Sequence, residues 1–128
     1  FLLPFVPDAN VAWIANLIFG KGTIPWARSS DILAYQETLR KFSEALQPAT
    51  IVPGHGGIVG GDSVRSYRQY LAKIRVLAEQ AVAAGVMIDD FVARAHVDPK
   101  YEIEPSLQGL MTGFHRWTLK EAFDEVSH

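Results

Sequence analysis

The stretch Ile51-Val52-Pro53-Gly54-His55-Gly56-Gly57 decides how this chain is read. Ala49-Thr50-Ile51-Val52 is short, β-branched and apolar, the pattern of a buried strand, and Pro53-Gly54 ends it. One histidine then stands between glycines. Residues without a Cβ allow positive φ and close backbone approach, so such a turn can carry an imidazole to the end of a sheet. Open α/β sheets hold their ligand sites at the carboxyl ends of the strands, and imidazole is the commonest metal-binding side chain near neutral pH. The alternative reading of His55 is a turn residue without a chemical role.

Working outward, the strongest helical pattern follows this turn. Asp62 or Ser63 is the expected cap, Val64, Tyr67, Leu71, Ile74, Leu77, Ala78 and Ala81 form the apolar stripe, and Gly85 is the stop. Upstream, a helix is expected from the caps Ser30 or Asp31 to Leu46, with Leu33, Leu39, Phe42 and Leu46 inward and Pro48 ending it. Residues 1–6 read as a buried strand. Asp8 is the expected cap of a short helix over Val11, Ile14, Ala15 and Ile18, closed by Gly20. Residues 87–95 read as a short helix capped by Asp89, Asp98-Pro99-Lys100 as a turn, and residues 104–126 as the last helix. Two strands cannot cover so many helices on both faces of a sheet. The remaining cover is expected from a partner chain or from an absent first part.

Composition narrows the function classes. A chain of 128 residues with 48% hydrophobic and 20% charged residues can bury roughly two-thirds of its unfolded surface in one core. It is read as one domain or part of one, residues 1–128. The net charge of −2 leaves no basic footprint for nucleic acid or an anionic membrane, so neither is expected as a partner. No cysteine is present, which excludes disulfides, thiolate metal sites and Cys nucleophiles. The apolar run Phe1-Leu2-Leu3-Pro4-Phe5-Val6 is too short to span a bilayer.

The segment from residue 46 to residue 71, with a strand, then Pro53-Gly54-His55-Gly56, then a long helix carrying Tyr70-Leu71, resembles the metallo-β-lactamase-fold hydrolases. The preceding helix ending in Leu46-Gln47-Pro48 and the later His115-Arg116-Trp117 are similar to phrases of that family. The resemblance implies a helix-rich α/β fold, the C-terminal part of an αββα sandwich with few strands. It implies that His55 is a metal ligand in a two-zinc site of the full-length parent, a metal-dependent hydrolase acting on a small-molecule substrate. The family's His-x-His-x-Asp-His is absent, and its bridging aspartate would lie just before Phe1. One imidazole cannot hold a catalytic zinc, which needs three protein ligands and an open position. The chain alone is therefore expected to bind no zinc tightly and to be inactive.

Other residues carry weaker signals. Gly61-Asp62-Ser63 lacks the Gly-Lys-Ser/Thr of a phosphate-binding loop, and Asp62 would repel a phosphate at that helix start. His115-Arg116 reads as a surface pair with Trp117 or Phe114 in the core, or as part of a substrate cleft. Trp26 is a candidate pocket wall. Trp26, His115 and Arg116 are thus the expected substrate-binding residues, and Glu102 and Glu104 are expected to be solvated. The bare edges and faces of the strands predict a homo-oligomer, or association with a missing N-terminal half. The rival reading is a non-catalytic interaction or oligomerisation module derived from the same fold.

Overall fold

Asn10 sets how the chain enters its sheet. It adopts φ 51°, which a short polar side chain tolerates, and its N–H donates to the Pro7 carbonyl at 3.1 Å. Its own carbonyl accepts the N–H groups of Ala49 and Thr50 at 3.1 and 3.2 Å. The turn reverses β1 (Phe5–Val6) into β2 (Val11–Ala15), and the carbonyl fixes β3 (Thr50–Pro53) beside them. The computed structural model that shows this describes residues 5–15, 20, 23–25, 32–94, 96 and 98–128.

The sheet has four strands in the order β1-β2-β3-β4, with β4 at Val59–Gly60. The inner pair β2 and β3 is parallel, Ala12 opposite Ile51 and Trp13 opposite Val52, while β1 and β4 pair antiparallel at the two edges. Helix α1 (Ile32–Ala45) lies between the parallel strands, as a crossover requires. Helices α2 (Ser63–Ala83), α3 (Ile88–Ala93) and α4 (Gln108–Val126) follow, with 3-10 turns at Pro99–Tyr101 and Pro105–Leu107. The protein is a helix-rich α/β structure on a small sheet.

The helix expected over Val11, Ile14 and Ala15 is a strand instead. Its apolar residues suit both periods, but pairing along β3 satisfies the backbone and places Ala12 in the core. Asp8 consequently sits in the turn and caps nothing helical there. Phe5 and Val6 are strand as expected, whereas Phe1, Leu2, Leu3 and Pro4, Ile18, Ser30 and Asp31 lie outside the described residues.

Phe5, Ala12, Ile51 and Val59 face the helices and join Leu39, Phe42, Tyr67, Leu71 and Ile74 in one core. Val6, Val11, Trp13 and Val52 point the other way, and Val6 and Trp13 are 53% and 59% exposed. Among the described residues, helices cover one face only.

Helix α2 follows its expected stripe with two exchanges: Tyr70 is buried and Leu77 is 39% exposed. Asp62 occupies the capping position without a side-chain cap bond. The far end is a Schellman stop: Gly85 takes φ 73°, its N–H donates to Val82, and the Val86 N–H donates to Ala81 at 2.9 Å. Met87, not Asp89, occupies the capping position of α3, and Asp89 lies in its first turn. In α1, Ile32 rather than Leu33 turns inward.

A single carboxylate joins three helices. Glu125 of α4 accepts the N–H groups of Ile32 and Leu33 at the start of α1, at 2.9 and 3.3 Å, and the Arg75 guanidinium of α2 at 3.0 Å. The first N–H groups of a helix lack partners within it, and a carboxylate there also meets the positive end of the helix dipole. The Glu125 side chain is only 17% exposed, so solvent replaces these bonds poorly. Glu125→Ala is expected to lower unfolding stability by about 2 kcal/mol, read by urea denaturation. A change within measurement error would show that water caps α1 equally well.

Candidate functional site

The carboxyl ends of β2 and β3 lie side by side because the strands are parallel, and the segments leaving them meet. The Gly20 N–H donates to the His55 carbonyl at 2.9 Å, and the Thr23 hydroxyl donates back to the Gly20 carbonyl at 2.6 Å. The approach is close enough to demand glycine. A Cβ on Gly20 would stand 2.0 Å from the Gly57 carbonyl oxygen, and one on Gly56, at φ 82°, would stand 2.9 Å from Gly20. Gly20 thus braces the histidine loop. His55 is exposed in that loop, between β3 and α2, where the sequence reading placed it.

A zinc ion needs three or four donors. Among the described residues, no group of three or more His, Asp or Glu side chains is gathered suitably for a metal. His55 is the imidazole that the loop presents. Trp26 lies outside the described residues. Arg116 is exposed on α4.

His115 is not a surface residue. It is 6% exposed, while Trp117, one of the two core candidates beside it, is 53% exposed. The inward face of α4 is Met111, His115, Thr118, Leu119 and Ala122. This face was missed because two polar residues interrupt it. Its signal is the i, i+4, i+7, i+8, i+11 spacing, which appears once His115 and Thr118 are admitted to the core.

The buried imidazole pairs with a tyrosine of the neighbouring helix. Its Nδ1 lies 2.7 Å from the Tyr70 hydroxyl of α2, and the backbone of His96 lies near the ring. A neutral imidazole has one donor and one acceptor. Nδ1 and the Tyr70 hydroxyl share one hydrogen bond, in which the imidazole nitrogen accepts or donates according to its tautomer. Thr118 is close enough to hydrogen-bond the same phenol oxygen. Tyr101 meets the Tyr70 ring edge-on, with centroids 6.0 Å apart. Burial pushes the Tyr70 phenol far above its ordinary range and Tyr101 up to about 12, so both remain neutral donors. Tyr70, Tyr101 and His115 border a cavity of about 350 Å³ that also receives His96, and His55 does not line it. The structure therefore gathers His115 and His96, and leaves His55 and Arg116 outside that group.

Glu102 and Glu104 are exposed, as expected. Among the described residues, no helix is long and apolar enough to cross a membrane. The sequence matches no model of a known protein family, and no curated protein is significantly similar to it.

The His115 environment gives a pH dependence. Burial holds its pKa below the ordinary 6.5, the nearby charges of His96 and Lys73 act in the same direction, and the His96 backbone bond opposes them. The unfolded chain then takes up the proton at higher pH than the folded one. The stability that neutral His115 contributes is complete above about pH 6.5 and declines as pH falls toward the folded pKa. Urea midpoints measured from neutral to mildly acidic pH should fall less steeply for His115→Gln than for wild type. Parallel slopes would remove His115 from the titration.

Proposed function

We propose that this chain is the C-terminal half of a metallo-β-lactamase-like, metal-dependent hydrolase and contributes one ligand, His55, to its metal centre. The observation that carries the reading is the joint one at the sheet. A parallel pair delivers His55 to its carboxyl end on a glycine loop braced by Gly20, while helices cover one sheet face and leave Val6 and Trp13 bare. An αββα sandwich divided between its two sheets has this arrangement: a helical outer layer, a sheet, and an apolar inner face awaiting the second sheet.

In that reading the two zinc ions supply an activated water in the whole enzyme. This chain's own part is positional. The strand end and the Gly20 contact hold the His55 backbone, and the absent Cβ atoms at Gly54 and Gly56 leave space around its imidazole. The remaining ligands and most of the substrate pocket belong to the other half.

The test begins with the coding sequence upstream of Phe1 and continues with co-expression of the polypeptide it encodes. The expected result is an upstream His-x-His-x-Asp-His, a purified complex holding two zinc ions, and loss of zinc on His55→Ala. An upstream frame without those ligands, or zinc occupancy indifferent to His55, would overturn the hydrolase reading.

The bare sheet face also favours a second reading, a non-catalytic module that self-associates through it. Both readings require the face to be covered, and an uncovered patch of this kind drives association at roughly 25 cal/mol per Å². The chain alone is expected to sediment above its 14.2 kDa monomer mass at micromolar concentration, and Trp13→Lys to return it toward the monomer. A monomeric wild type would show that this face needs no cover.

A further inference from the structure

The cavity beside Tyr70 and His115 combines an apolar floor with a cationic rim. Ile74, Leu77, Phe91 and Leu119 supply its hydrocarbon surface, and its volume of about 350 Å³ falls within the range of small-molecule sites. Lys73 of α2, Arg94 after α3 and Lys100 of the 3-10 turn bring three positive charges to it.

Those charges are available. Arg40 and Arg75 are each held by two carboxylates, whereas among the described residues neither Lys73 nor Arg94 forms an ion pair. The Lys100 ammonium lies 5.1 Å from the centre of the Tyr101 ring. Among the described residues, one carboxylate, Asp98, borders the cavity, and its Oδ1 accepts the Lys100 backbone N–H at 3.0 Å. Tyr70 is already committed to His115, so the polar recognition lies at the rim. A cleft with cations in excess around low-dielectric walls concentrates anions.

We propose that this cavity binds a small organic anion with an apolar body, of the aryl- or acyl-carboxylate class. The carboxylate lies against Lys73 and Arg94, and the body packs between Phe91 and the Ile74–Leu119 floor. The site stands apart from the metal reading: it uses neither His55 nor zinc, and its test is indifferent to both.

The test follows side-chain and amide resonances of Tyr70, His115 and Leu119 during titration with 3-phenylpropanoate, 3-phenylpropanamide and acetate. The expected result is saturable shifts with 3-phenylpropanoate and binding at least about tenfold weaker for each of the other two, since each lacks one half of the recognition. The paired substitution Lys73→Gln and Arg94→Gln, both at exposed positions, should reduce 3-phenylpropanoate to the affinity of the amide while the backbone spectrum stays folded. Equal binding of acid and amide would overturn the proposal, as would equal binding of acetate. Undiminished acid binding by the paired variant, or unshifted cavity resonances at millimolar 3-phenylpropanoate, would overturn it too.

Discussion

The three helices hold one another through the carboxylate of Glu125. The N–H groups of Ile32 and Leu33 in α1 bind that side chain, α2 reaches it through Arg75, and α4 carries it. Apolar packing between helices is nearly non-directional and leaves freedom to slide or rotate. Donors at fixed positions on two helices, converging on two oxygens of a third, remove much of that freedom. The geometry of the layer beneath the sheet depends on this joint more than on any one apolar contact.

From the joint, position is transmitted to both candidate sites. The end of α1 leads through Gln47 and Pro48 into β3, so the start of α1 and the register of β3 are separated by one rigid helix. The register then places His55 beside Gly20. On the other side, α4 is held against α2, which brings His115 to Tyr70 at 2.7 Å. A buried hydrogen bond of this kind tolerates little displacement, because an unpaired imidazole nitrogen or phenol in a dry site is costly. The polar pair therefore specifies the rotation of α4 about its axis, which an apolar stripe alone would leave loosely defined.

The sequence was legible wherever structure is local. Helix α2, with its stripe and its Gly85 stop, the short strand before His55 and the proline-opened final helix all follow from neighbours within a few residues. It was illegible where distant residues decide. Val11 to Ala15 has an apolar content that fits helix or strand, and its parallel partner arrives only after Thr50, so no local period distinguishes the two. Glu125 lies 93 residues from the N–H of Ile32 that it accepts. Nothing in the surroundings of either residue announces the pairing. His115 was misplaced for a different reason: a polar residue in a helix is read as outward unless its partner is known, and that partner is Tyr70 on another helix. For the candidate site, the strand-turn placement of His55 was readable, while the bracing by Gly20 was hidden in a presumed helix stop.

The two sites differ in how complete they are, and the difference has a structural origin. The cavity at Tyr70 and His115 is bounded by α2, α3, α4 and a 3-10 turn of the same chain, and its Tyr70 hydroxyl and His115 imidazole pair with each other. Preorganised walls of this kind reduce the ordering cost of binding. His55 stands instead at the border of the sheet, on the end of a strand whose outward residues are half-buried beside the exposed Trp13 and Val6. Gly20 fixes the backbone of that loop. Under the proposed hydrolase reading, covering the apolar surface and completing a ligand set around His55 fall to the same partner, whereas a partner that buries Trp13 without donors leaves His55 a turn residue and nothing more.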